Sequence, residues 1–265
     1  MYNYEFLDFL PADQVFFNTS RNITASNVSV VIPIRGRERQ SALNACIWNW
    51  LRCNDPTLEI IVSEEDDAKK IDISEFVYAK NVKHIFTSSN TLFNKSRAIN
   101  RGVSVSANST IIMNDVDILV PNNFLEKFKR LPSIYEFFFF ANDILYADLR
   151  DNKIVHNQDR WSKHADRYPF VGGNIAFDKR AFHKIGGMYE GFVGYGSEDG
   201  EFYTRAKKAR GTRFLEKRSL PLIHINHEYV QSNSNNVMRN FDLYQKLKAM
   251  PITKRIEVVT RKIIL

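Results

Sequence analysis

Ile111-Ile112-Met113-Asn114-Asp115-Val116-Asp117 is the stretch on which the reading of this chain turns. Its apolar half reads as a buried strand. The carboxylates of Asp115 and Asp117 then stand where that strand leaves the core. Two hard oxygen ligands at such a point suit Mg2+ or Mn2+. The pattern decides little alone, because with 16 Asp in 265 residues an Asp-x-Asp arises about once by chance. A solvated turn is the plain alternative, so the neighbouring segments must decide.

Working outward, Val28 to Ile34 reads as a first strand stopping at a Gly-containing turn, and residues 38–53 carry Leu43, Ile47, Trp48 and Leu51 at helical spacing. Leu58 to Val62 reads as a second strand, followed by the acidic cluster Glu64 to Asp67. Val82 to Phe86 is a third strand, Lys95 to Val105 a helix, and Thr110 to Asn114 the fourth strand. Strands alternating with helices imply an α/β fold with a mostly parallel sheet. Ligands gather at the carboxyl ends of such strands, where Arg35, the acidic cluster, Asp115 and Asp117 all fall. The second half is less regular. Phe137 to Phe140 reads as a buried strand, 148–168 as a polar loop, Ser197 to Arg210 as a helix and Leu222 to Ile225 as a strand. His227 to Asn236 is too polar to pack and is expected to be a mobile loop. Phe241, Tyr244, Gln245 and Leu247 point to a last helix before a basic tail.

Length suits one large α/β domain or two small ones. No apolar run approaches the 18 residues of a transmembrane helix. Asp8, Pro11 and Asp13 interrupt the N-terminal apolar part, so neither a signal peptide nor an anchor is expected. The chain is then expected to be either a trimmed piece of a longer protein or a cytoplasmic protein of microbial or viral origin, the second favoured by its initial Met. Cys46 and Cys53 sit too far apart along one helix to bridge. Asn22-Ile23-Thr24 and Asn27-Val28-Ser29 match glycosylation sequons, as chance allows in an Asn-rich chain. The net charge of +7 is uneven: residues 201–265 hold 14 Lys/Arg against 5 Asp/Glu. Such a basic quarter fits an acidic partner, whether nucleic acid, an anionic membrane contacted peripherally or a charged polysaccharide, or else a solvated helix face.

Five further motifs frame the Asp pair. They are Val31-Ile32-Pro33-Ile34-Arg35-Gly36-Arg37, Phe93-Asn94-Lys95-Ser96-Arg97-Ala98-Ile99-Asn100-Arg101-Gly102, Phe170-Val171-Gly172-Gly173-Asn174, Gly191-Phe192-Val193-Gly194-Tyr195-Gly196-Ser197-Glu198-Asp199 and His224-Ile225-Asn226-His227. In this order and spacing, over about residues 28 to 240, the chain resembles the metal-dependent inverting glycosyltransferases of the β-1,4-galactosyltransferase type, on the GT-A fold. The resemblance implies an N-terminal extension (1–27), a GT-A domain (28–250) and a basic tail (251–265). Within the domain, 28–120 would be the nucleotide-binding half and 121–250 the acceptor-binding half.

The resemblance also implies roles. Asp117 would ligate Mn2+ or Mg2+, with Asp115 directed at the donor ribose or a metal water. His227 matches a metal-binding His, and His224 stands where the family has a Met ligand, which would harden the site. In an extended strand the two imidazoles would face opposite sides, so joint ligation needs a turn at Ile225-Asn226. Asp199 matches the general base, beside Glu198. Two adjacent acids in a closed pocket raise one pKa toward the working range, and both would also be favoured simply as N-terminal helix charges. The third acid of the family's run is Gly200 here. Tyr195 replaces a family Trp as a sugar-stacking platform, with Phe192 either beside it or in the core. Arg35 and Arg37 could pair with the diphosphate. Phe93 matches the aromatic that stacks on uracil, with Asn94 and Arg97 nearby, although a Phe before a helix is usually a hydrophobic staple. Phe170 replaces a Tyr bordering the donor sugar next to Gly173, which leaves hexose and N-acetylhexosamine both open.

The expected activity is therefore sugar transfer from a UDP-sugar to the hydroxyl of a saccharide or glycolipid acceptor. The alternative acceptor is a hydroxymethylated base of viral DNA, flipped out toward Asp199. A nucleotidyltransferase would need a Gly-rich phosphate loop after the first strand, which the sequence does not have there. A silent carbohydrate- or nucleic-acid-binding module would not need Asp117, Asp199 and His227 together.

Overall fold

A computed structural model describes residues 27–130, 135–139, 144–151, 153–156, 172–209, 214–216, 222–227 and 234–262. β1 (Val28–Ile34) is buried along its whole length. Its alternation splits the core, with Val28, Val30, Ile32 and Ile34 packing beneath α1 (Gln40–Leu51) through Leu43, Ile47 and Trp50. Val31 faces the other side, toward Ile99 and Val103 of α2 (Lys95–Val105). That helix lies so close that a Cβ on Gly102 would meet Val31 Cγ1 at 2.3 Å.

β2 (Glu59–Asp66) and β3 (Val82–Ser88) extend the parallel sheet on one side of β1, and β4 (Thr110–Asn114) pairs with β1 on the other. β2 runs further than the apolar run Leu58 to Val62, because its acids are paired rather than solvated. Glu64 lies 2.8 Å from His84 Nε2, and Glu65 takes Arg97 Nε at 2.8 Å. Asp66 accepts from the Gly36 amide at 3.1 Å and from Lys70 at 3.0 Å. The short β5 (Ile118–Leu119) and α3 (Phe124–Lys129) follow, then β6 (Phe137–Phe139).

β7 (Ile144–Arg150) and β8 (Lys153–His156) pair antiparallel. The polar segment read as a loop from 148 is thus a hairpin as far as His156, and the rest of that loop lies outside the described residues. β9 (Asn174–Asp178) is followed directly by α4 (Lys179–Lys184), capped by Asp178. The strand enters the main sheet antiparallel between β4 and β6. After α5 (Glu198–Lys208), β10 (Phe214–Glu216) completes a seven-stranded sheet ordered β10-β6-β9-β4-β1-β2-β3. β11 (Leu222–Ile225) joins a second sheet ordered β5-β11-β7-β8.

α6 (Ser234–Ala249) begins inside the stretch expected to be loop, whose residues 228–233 lie outside the described set. The expected basic tail is instead α7 (Ile252–Thr260), packed through Arg255, Val258 and Val259. No helix among the described residues is long and apolar enough to cross a membrane.

Candidate metal and base site

β4 ends at Asn114, and the next residues are held in a tight turn. Asn114 Nδ2 donates to the carbonyls of Asp115 at 2.8 Å and Ile118 at 2.9 Å, and the Ile118 amide returns to the Asp115 carbonyl at 3.0 Å. The turn sends the two carboxylates to different partners. Asp117 Oδ2 lies 3.0 Å from His227 Nε2, 3.9 Å from His224 Nε2 and 3.5 Å from Arg39. One ligand atom from each of Asp117, His224 and His227 falls within 4.8 Å of the others. β11 ends at Ile225, and the Ile225 and Asn226 amides bond to the carbonyls of Asp117 and Ala147 at 2.8 and 2.7 Å. The chain therefore leaves the strand between the two histidines, and both imidazoles reach Asp117.

Burial keeps the His224 imidazole below its ordinary pKa despite the pull of Asp117, and its Nδ1 is buried without a hydrogen-bond partner among the described residues. Burial pushes Asp117 upward, but its bond to His227 and the charges of His224, His227 and Arg39 hold it below the usual carboxylate range. An ionised carboxylate beside an imidazole biased toward its neutral form, as at Asp117 and His224, is what metal binding requires. One oxygen and two nitrogens fit Mn2+ better than Mg2+, which prefers oxygen ligands alone.

Asp115 turns the other way, to Lys95 at 2.8 Å. Lys95 Nζ also reaches Asp199 Oδ2 at 2.8 Å and Glu198 at 3.9 Å. Burial by itself would depress the Lys95 ammonium, but Asp115, Asp199 and Glu198 together hold it well above its usual value. Burial pushes Asp199 up to about 7, against Lys95 and with the help of Glu198 and Asp115. Glu198 is raised as well, again mainly by burial. Asp199 Oδ1 and Glu198 Oε2 are buried without hydrogen-bond partners among the described residues. A carboxylate with one oxygen held and the other open, titrating near 7, has the form of a general base.

Gly172 and Gly173 make room for this pair. A Cβ on Gly172 would meet Asp199 Oδ2 at 2.6 Å, and the Gly173 carbonyl accepts the Asp115 amide at 2.6 Å. Ser197 precedes α5 in a left-handed conformation, φ 73°, and makes no side-chain cap.

Other expected residues fall in varied places. Tyr195 is 60% exposed beside α5, as a stacking platform must be, whereas Phe192 is buried with Tyr189 and Leu247 in a core cluster. Arg35 donates to the Thr91 carbonyl at 2.7 Å and sits 3.4 Å from Asp66. Arg37 is exposed, and it is Arg39, two residues on, that reaches Asp117. Phe93 is half-buried, and its carbonyl accepts the Gly194 amide at 2.9 Å. Asn94 is the buried cap of α2, bonding the Arg97 amide, and Arg97 is engaged by Glu65 and Ser89. These two therefore tie α2 to β2. Phe170 lies outside the described residues. Sequence reading missed Lys95 and Arg39 as site residues. The only signal for Lys95 was its place at the start of a helix within a quoted motif.

This mostly parallel sheet with β9 inserted antiparallel superposes on solved structures. The catalytic domain of Drosophila beta1,4-galactosyltransferase 7 in complex with xylobiose superposes with a TM-score of 0.54 at 19% identity, over 82% of this chain and 79% of that one. The fold is GT-A. A variant of the same Drosophila enzyme, in complex with manganese, UDP-Gal and xylobiose, gives 0.53 at 19% identity over the same shares, 82% and 79%. A mannosyltransferase from Pyrobaculum calidifontis in complex with GDP-Man and Mn2+ gives 0.59 at 12% identity, over 94% of this chain and 72% of that one. Residues 152–228 of this GT-A chain match a family described as the N-terminal domain of galactosyltransferase, as the resemblance leads one to expect. Among curated protein sequences no match is found.

Proposed function

We propose that this chain is a divalent-metal-dependent glycosyltransferase that moves a hexose or N-acetylhexosamine from a UDP-sugar to a saccharide hydroxyl with inversion. The carrying observation is the pairing of two half-sites across one turn. Asp117, His224 and His227 gather on one side of Val116, and Asp115, Lys95, Asp199 and Glu198 on the other. A cation held by the first group, Mn2+ by the nature of its ligands, would offset the charge of the leaving diphosphate. The residues of the second group do the rest. Lys95 holds one oxygen of Asp199 in place. The free Oδ1 takes the acceptor hydroxyl proton while that oxygen attacks the anomeric carbon from the face opposite the diphosphate. Tyr195 offers its ring to the apolar face of the acceptor sugar.

The solved galactosyltransferase with manganese, UDP-Gal and xylobiose supports this donor and acceptor class. The basic C-terminal quarter argues less for an anionic partner than its composition implies, because Arg205 and Arg255 are buried inside the fold. Transfer of radiolabelled sugar from UDP-sugars to simple glycosides, with the product anomer read by NMR, tests the reading. Label entering hydroxymethyl-pyrimidine DNA alone, or a retained anomeric configuration, would overturn it.

A further inference from the structure

Three charged side chains that this chemistry does not use are buried together. Glu201, Arg205 and Arg255 have 0, 0 and 1% of their surface exposed. Glu201 Oε1 accepts from Arg205 Nε at 2.9 Å and from Arg255 Nε at 2.7 Å. Arg255 also donates to the Glu201 carbonyl at 2.7 Å and to Thr204 Oγ1 at 2.6 Å. Arg205 reaches the carbonyls of Ile185 and, at 2.7 Å, Gly187. Well-packed apolar residues often give as much stability as a buried ion group, so its stability alone does not account for such a group. Fixed geometry is what apolar contacts supply least.

The network is placed to fix geometry at Asp199. Glu201 is two residues beyond Asp199 on α5, a helix whose preceding N-cap residue, Ser197, gives it no side-chain cap. The turn grasped by Arg205 is bonded in turn to α2: Asn100 Oδ1 accepts the Met188 amide, and Nδ2 donates to the Met188 carbonyl, both at 2.9 Å. α2 begins with Lys95, which holds Asp199. The path therefore closes on itself, from α7 through α5, the 185–188 turn and α2, back to the first turn of α5.

We propose that Arg255, Glu201 and Arg205 form a clamp by which the last helix of the chain sets the register of α5 and positions Asp199. The proposal rests on the reading of Asp199 as the base. Arg255→Met, Arg255→Lys and Thr204→Val test it, with turnover expressed per molecule competent to bind UDP in Mn2+. The expected result for Arg255→Met is a fall in kcat on the order of 10²-fold, the worth of about 1 Å of misplacement. UDP affinity should stay within about twofold, and Arg255→Lys should recover part of the loss. The Asp199 carboxyl titration, followed by 13C NMR, should shift in all three variants, since its distances to Lys95, Glu198 and Asp115 change with the register. Lowered melting temperatures with unchanged kcat and an unchanged Asp199 titration would overturn the clamp. If Arg255→Met does not fold, the two milder variants carry the same criteria. Normal turnover in Asp199→Asn would instead count against the base, and the NMR titration would still judge the clamp.

Discussion

Asp199→Asn separates chemistry from stability in a way that can be worked out in advance. The Asp199 carboxyl is moved from 3.8 to about 7, chiefly by burial. A raised acid binds its proton more tightly in the fold than in the unfolded chain. Stability is therefore fully present below about pH 4 and falls as pH rises toward 7, above which the loss is constant. At 1.36 kcal/mol per pH unit the whole displacement corresponds to about 4 kcal/mol. Asn carries no charge to bury, so the variant escapes this cost. Lys95 then loses one of its carboxylates, while Glu198 and Asp115 re-equilibrate, so a net gain of about 2 kcal/mol at pH 8 is expected. That gain should shrink to nothing by about pH 4. Turnover should drop by about 10²-fold or more, with UDP binding retained. Urea unfolding in EDTA at several pH values, alongside UDP calorimetry and transfer rates, checks all three. A stability difference that does not vary between pH 5 and 8 would refute the buried, raised carboxyl. Near-normal turnover would make Glu198 or another group the base.

Asp117→Ala should abolish Mn2+-dependent UDP binding, because the diphosphate charge is left uncompensated; calorimetry showing unchanged affinity in Mn2+ would remove Asp117 from the metal shell. Tyr195→Ala should raise the acceptor KM several-fold, by about 1 kcal/mol of lost stacking, and leave the melting temperature unchanged because the ring is largely exposed. Gly102→Ala should destabilise the fold by about 1–3 kcal/mol, the usual cost of overpacking, since its Cβ would stand 2.3 Å from Val31 Cγ1; an unaltered denaturation midpoint would contradict that packing.

The first half of the fold was legible because its signals are local. β1 to β4 are apolar runs of strand length, and α1 and α2 show helical spacing. The turn between His224 and His227 was legible only as a condition of joint ligation, since two imidazoles three apart cannot share a face of a strand. What escaped was set by long-range pairing. Lys95 meets Asp199 across 104 positions and Arg255 meets Glu201 across 54, and no pattern within a window reports such pairs. Composition misled for the same reason. Arg205 and Arg255 count toward a basic C-terminal quarter in the sequence, yet in the fold they pair with Glu201 inside the core. The acids at the end of β2 read as a cluster beyond a strand ending at Val62, and it is their partners His84, Arg97 and Lys70, from other segments or the next turn, that bring them into it.

The central claim is that the Asp117, His224 and His227 cluster and the Asp199 carboxylate belong to one sugar-transferring site. Release of UDP from a panel of UDP-sugars, followed without acceptor and then with simple glycosides, tests it most directly. The account predicts slow release in Mn2+, acceleration by an accepting glycoside, and loss of both in EDTA and in Asp117→Ala. Release that is indifferent to EDTA and to Asp117→Ala, or no release from any UDP-sugar in Mn2+, would contradict it.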